Sequence, residues 1–239
     1  MHSILSADDA LAVLNRSQLP TVVTEGSDDY RVMRKIEERL SDCDIDFLPV
    51  GGKDKVLYVW ENLPMERKLN TLAIVDLDKW LYLGIPDRYV GNGLMYTVGY
   101  SIENDIFMDA SLIHLCDNHE LVNFMADLRI VCAHHAREIG RAIRGETHLL
   151  KKHVNHIIAD GDITPSLDAD ELARKSNLER HFGQALRGKT LLEVLVRQTN
   201  RAGRFAKFGY KHIYEMGSCQ IGKIFEQMER DIRSFFCCT

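Results

Sequence analysis

Four short stretches in the first hundred residues constrain this chain more than anything else in it. They are "LPTVVTEG" (19–26), "IDFLPVGG" (45–52), "TLAIVDLD" (71–78) and "GLMYTVG" (93–99). Each opens with an almost unbroken apolar run and ends in glycine or a carboxylate. A strand with one wet face alternates apolar and polar residues, whereas a strand covered on both faces does not. Between the runs the spacing turns helical: Val32, Ile36 and Leu40 fall four apart, and Val56, Trp60 and Leu63 share one side of a segment at 53–63. Covered strands alternating with amphipathic helices predict an α/β fold with a parallel sheet. Residues 7–15 predict a further short helix, and Ser27 or Asp28 can cap the helix after the first strand.

The pattern changes near residue 103, after which no strand is expected. "HELVNFMADLRIVCAHHAREIGRAIR" (119–144) keeps a helical period through Leu121, Phe124, Met125, Leu128, Cys132, Ile139 and Ile143. Further helices are expected near 168–186, 190–201 and 218–236, and "ADGDITPS" (159–166) is the clearest loop. The expected organisation is an α/β domain over 1–112 and a helical domain over 113–239, without repeats or low-complexity tracts.

A chain of 239 residues with 45% apolar content can build one well-packed domain with a helical annex. The net charge of −5 means that a nucleic acid would have to meet a local patch. No apolar run approaches a membrane span, and "MHSILSADDA" lacks a basic-then-apolar signal pattern, so a cytoplasmic protein with no membrane partner is expected. Cys43, Cys116, Cys132, Cys219, Cys237 and Cys238 are scattered without a CxxC pair and read as reduced thiols.

Ligand sites in parallel α/β sheets form at the carboxyl ends of strands, where the strand order switches. Glu25 ends the first run, and Asp76 and Asp78 end the third. If those strands are neighbours, three carboxylates converge and repel unless a cation lies among them. Hard oxygen ligands favour Mg²⁺ or Mn²⁺. On an extended strand end Asp76 and Asp78 would point the same way, and Gly26 would let a phosphate approach the backbone. Lys53 and Lys55 in "GGKDKV" can hold a scissile phosphate, and equally suit a solvated helix start. Lys79, directly after the acidic pair, reads as a surface lysine before it reads as a phosphate contact. Helix capping or a solvated turn is the competing explanation for each acidic residue.

A second feature is the charge of 172–211, which carries ten Lys or Arg against two Glu. At its end, "NRAGRFAKFGYKH" interleaves Phe205, Phe208 and Tyr210 with Arg201, Arg204 and Lys207. Phosphate neutralisation with base stacking requires such a mixture, and so would a docking surface for a protein partner. His114, Cys116, His119, Cys132, His134 and His135 are zinc-capable types, but their spacing fits no standard finger. Core packing is the better explanation for Cys132 and His135.

Glu in "VTEGSDD", followed some fifty residues later by "LAIVDLD", resembles the Toprim pattern of topoisomerases, primases and overcoming-lysogenization-defect nucleases. "EGSDDYRVMRKI", "FLPVGGKDKVLYVWENL", "LAIVDLDKW" and "YTVGYSIENDIF" together are similar to a Toprim-related family found beside ABC-type ATPases in bacterial defence loci. The nuclease subunit of PARIS-type anti-phage systems belongs to that family. The resemblance covers about residues 20–108 and extends more loosely through "GKTLLEVL". It implies a Toprim-like, Rossmann-like domain and a Mg²⁺-dependent nuclease, hydrolysing DNA or RNA, that serves as a toxic defence effector. Glu25 would then be the general acid or base; Lys53 joins it as a catalytic candidate from its place after the second strand, where it can hold the scissile phosphate. Asp76 and Asp78 would be the metal-binding pair, and Glu103 of "SIEN" an additional ligand. The implied partners are nucleic acid, an ABC-type ATPase and, in the active state, a second copy of the chain. Two other readings stay open: a haloacid-dehalogenase-like phosphatase using the DxD pair, and a non-catalytic regulatory subunit of an ATPase.

Overall fold

The computed structural model describes residues 5–26, 30–91, 93–146 and 151–237, so the proposed caps Ser27 and Asp28 lie outside the described residues. It is an α/β structure of two compact units. One comprises Met1–Leu77, Ile85–Thr97 and Ser218–Thr239, and the other Asp78–Gly84 and Val98–Gly217. The division is therefore not a single cut near residue 112: the chain passes between the units four times.

The first unit holds the sheet. Strands β1 (Thr21–Thr24), β2 (Asp46–Pro49), β3 (Thr71–Val75) and β4 (Leu94–Tyr96) coincide with the four apolar runs. All pairings are parallel, in the order β2-β1-β3-β4. Both central strands are buried along their whole length, which explains why they lack alternation. Helices α1 (Ala7–Arg16), α2 (Tyr30–Arg39), α3 (Lys53–Asn62) and α4 (Met65–Lys68) cover the sheet or one another, with α2 on β2 and α3 on β3. Val32, Ile36 and Leu40 of the α2 segment are fully buried, as is Val56 of α3.

The second unit is helical. It contains α5 (Trp80–Leu83), α6 (Ile102–Asp109), α7 (Asn118–Ile143), α8 (Val154–Asp160), α9 (Ala169–Arg180), α10 (Phe182–Ala185), α11 (Gly188–Thr199) and nearly all of α12 (Tyr210–Ser218). Its spine is α7, which begins at a reciprocal cap between Asp117 and Glu120 and packs against α8, α9 and α11. The buried stripe of α7 runs through Phe124, Leu128, Val131, Cys132, His135 and Ile139, whereas Leu121 and Ile143 are exposed at its two ends. The chain finishes with α13 (Lys223–Cys237), which returns to the first unit and buries Phe225, Met228 and Ile232 at helical spacing. No helix among the described residues is long and apolar enough to cross a membrane.

His135 fits core packing. Its ring is 2% exposed, Nδ1 lies 3.3 Å from the Val131 carbonyl, and Nε2 has no hydrogen-bond partner among the described residues. Burial pulls its pKa down to about 4. A lowered folded-state pKa means that the unfolded chain binds the proton first as the pH falls, so this contribution to stability is complete above about pH 6.5 and is lost toward pH 4. We expect urea melts to give His135 a share of roughly 2 kcal/mol lost between pH 7 and pH 5, read as the difference between wild type and His135→Leu, because the Asp105 carboxyl, raised by burial to about 7, acts in the opposite direction over the same window. An unchanged acid limb in the variant would assign the loss to other groups.

Candidate functional site at the carboxyl ends of the central strands

The strand order places the topological switch between β1 and β3: the chain moves outward to β2 from one and to β4 from the other. Glu25 follows β1 directly and Asp76 follows β3 directly. The two strands are hydrogen-bonded neighbours, paired from Thr21 with Thr71 to Val23 with Ala73. The neighbour relation on which convergence depends is therefore present, and both carboxylates stand at the crevice position of an open parallel sheet.

A ring of contacts ties the strand ends together. The Asp76 N–H donates to Glu25 Oε1 at 2.7 Å. The Gly52 N–H donates to the Glu25 carbonyl at 2.5 Å, and the Val50 N–H to Thr24 at 3.0 Å. Gly51 and Gly52 adopt φ values of 89° and 93°, a region that glycine enters without steric cost, and this turn leads β2 into α3. Lys53, the first residue of α3, sends Nζ to the carbonyls of Asp76 and Leu77 at 2.5 and 2.9 Å. Lys53 is thus engaged in holding the end of β3, while Lys55 on the same helix is exposed. Glu25 and Asp76 are half-buried, which keeps them in reach of solvent while limiting their freedom.

The remaining predicted ligands belong to the helical unit. Asp78 is not on an extended strand end: β3 stops at Val75 and Asp78 is left-handed, with φ 49°. Its N–H donates to the Tyr100 carbonyl at 2.7 Å, and α5 follows. The turn explains why a strand-like alternation of Asp76 and Asp78 does not hold here. Glu103 is 5% exposed in the first turn of α6. Its Oε2 accepts from Ser101 Oγ at 2.5 Å and its Oε1 from the Tyr210 hydroxyl at 3.2 Å.

The "SIEND" stretch around Glu103 is a scaffold, which residue types alone do not reveal. Ser101 caps α6. Asn104 is completely buried, accepts from the Ser101 N–H at 3.1 Å, and donates to the carbonyls of Gly183 and Leu186, both at 2.8 Å. Asp105, also fully buried, accepts from the N–H groups of Gly99 at 2.7 Å and Val98 at 3.0 Å. Burial pushes its carboxyl up to about 7 against the pull of those two donors. Gly188 completes the fit: a Cβ there would lie 2.4 Å from Ser101 Oγ and 2.7 Å from Asn104 Oδ1. The one signal for this in the sequence is three consecutive polar side chains at the start of a helix whose later residues, Ile106 and Phe107, are apolar.

Part of the basic segment is engaged within the fold, whereas Arg180, Lys189, Lys207 and Lys211 are exposed. Arg204 Nη1 donates to both carboxylate oxygens of Glu120 at 2.8 and 2.9 Å, its Nη2 donates to the Leu115 carbonyl at 2.8 Å, and its guanidinium lies over Phe208. Arg197 pairs with Asp127 and Asn155, and Lys175 with Glu179. Lys207 is exposed, Arg201 is partly exposed, and Phe205 between them projects wholly into solvent.

Among the described residues, no three His, Cys, Asp or Glu side chains are gathered as a metal-ligand group. Glu25 and Asp76 offer two hard carboxylates, a donor chemistry suited to a divalent cation, in a smaller set than the four ligands expected. In comparison with known proteins, the chain matches no family model and no curated protein.

Proposed function

We propose that this protein is a metal-dependent nuclease of Toprim type whose chemistry centres on Glu25 and Asp76. One observation supports the reading above others: Glu25 and Asp76 follow adjacent central strands at the switch point, and the Glu25 carboxylate accepts the main-chain N–H of Asp76 at 2.7 Å. Asp78 enters the ligand set from its sequence placement and the resemblance, and Glu103 from the resemblance alone. When bound, Mg²⁺ or Mn²⁺ would neutralise a scissile phosphate and lower the pKa of a water molecule. Asp76 would hold the cation, and Glu25 would take or return a proton at the attacking or leaving oxygen. Lys53 positions the Asp76 loop through its two carbonyl contacts. Exposed Lys207 and Phe205 and partly exposed Arg201 would meet the polymer, and an ABC-type ATPase partner and self-association would regulate the activity.

Titration calorimetry with Mn²⁺ tests the centre directly. Wild-type protein should bind the metal, and Asp76→Asn should weaken binding at least about tenfold, as loss of a charged hard ligand does. Equal affinity in the two proteins would place the metal elsewhere. Release of phosphate from a small phosphomonoester, without cleavage of DNA or RNA, would favour a phosphatase. Tight binding of an ATPase with neither metal affinity nor hydrolysis would favour a regulatory subunit.

A further inference from the structure

Cys43 ends the single 3-10 turn Ser41–Cys43 that follows α2, and Cys237 is the last residue of α13. They are 194 positions apart, yet their sulfur atoms lie 3.1 Å from each other within the same compact unit. A disulfide requires about 2.05 Å, so about 1 Å of side-chain movement separates the thiol pair from a bond. The approach is held by other contacts. Arg233, one turn before Cys237, donates to Asp42 at 2.5 and 3.1 Å, to the Arg39 carbonyl at 3.2 Å and to the Cys43 sulfur at 3.2 Å. Glu229, one turn earlier, pairs with Arg39 at 2.5 Å. These contacts set the register of the last turns of α13 on α2. The contact with Cys237, together with burial, raises the Cys43 pKa to about 11, so Cys43 is a thiol at neutral pH. Cys237 is exposed, and solvent-borne reagents reach that sulfur first.

We propose that Cys43 and Cys237 form a reversible oxidation site, closed by thiol–disulfide exchange with a low-molecular-weight disulfide of the glutathione class. The Cys237 thiolate attacks one sulfur of the small disulfide, whose S–S bond breaks and releases one small thiolate. Cys43 then gives its proton to solvent, and its sulfur attacks that of Cys237. The mixed disulfide breaks and the second small thiolate leaves. The two cysteines lose two electrons and two protons, and the small disulfide gains the two electrons. The product staples α13 to the end of α2 across 194 residues of chain, a loop length for which closure strongly restricts the unfolded state. This site is independent of the nuclease reading.

The test equilibrates the full chain in glutathione buffers of increasing oxidised fraction, quenches with acid, alkylates the remaining thiols and maps the digested peptides by mass. The expected result is the loss of two thiols per chain, one cross-linked peptide pair containing Cys43 and Cys237, and a Tm several degrees higher in the oxidised protein. Cys43→Ser and Cys237→Ser should each abolish both the cross-link and the Tm shift, whereas Cys219→Ser and Cys238→Ser should keep them. Four results would overturn the assignment: a bond between Cys237 and its sequence neighbour Cys238, a glutathione adduct that never resolves, a cross-link between two chains, or full alkylation of both residues at every buffer ratio.

Discussion

Glu25→Gln should cleave nucleic acid at least about a hundredfold more slowly in Mg²⁺ than the wild type, while binding it with unchanged affinity in Ca²⁺. A positioned proton-transfer group contributes roughly 10²–10⁴ in rate, and adds little to the affinity for the unreacted polymer. Glutamine is the informative replacement because its amide oxygen can still accept the Asp76 N–H that Glu25 accepts at 2.7 Å. The ring joining Glu25, Gly52, Lys53 and Asp76 then stays closed, and the change reports on the proton. Single-turnover cleavage and fluorescence anisotropy with the same labelled oligonucleotide separate the two quantities. If binding and cleavage fall together, Glu25 serves to hold the loop. If cleavage survives, the chemistry lies away from the switch point.

Asn104→Ala should cost about 3 kcal/mol of stability or more, measured by urea denaturation. Its side chain supplies two donors to the Gly183 and Leu186 carbonyls and one acceptor to Ser101 N–H, with no solvent exposure. Truncation leaves three main-chain groups without that partner, and each orphaned buried group costs about 1–3 kcal/mol, softened by local relaxation. Asn104→Asp offers a control of similar shape that keeps the acceptor and loses both donors. It should be destabilised as well, by an amount that grows as the carboxylate ionises. A midpoint within experimental error of wild type for Asn104→Ala would show that water replaces the side chain at this junction.

The central strands were legible because both faces of each are covered, which leaves a short continuous apolar run bounded by turn residues. Glu25 and Asp76 were legible for the same reason: a carboxylate directly after such a run stands where a parallel sheet opens. Long-range pairing was not legible. Arg204 counts as a surface cation in any local tally of charge, yet it is paired with Glu120, 84 residues earlier. Glu103 and Asp105 look like free acids until Tyr210, Gly99 and Val98 are found on them. The short helices α8 and α12 escaped notice because seven or nine residues hold too few apolar positions to establish a period. That α13 belongs with the sheet is a matter of Arg233 and Cys237 meeting partners some 190 positions away.

That last placement bears on how the protein is made. Ribosomes add about 5–20 residues each second. The sheet unit leaves the chain at Thr97 and regains it only at Ser218. All four strands are therefore synthesised roughly 6–24 s before the helix that completes their unit. During that interval the face that will receive Phe225, Met228 and Ile232 has only nascent chain and solvent to meet. The helical unit, by contrast, is nearly contiguous and has all its parts in hand first. Birth order thus runs against sequence order, and the unit carrying Glu25 and Asp76 is the last to be finished.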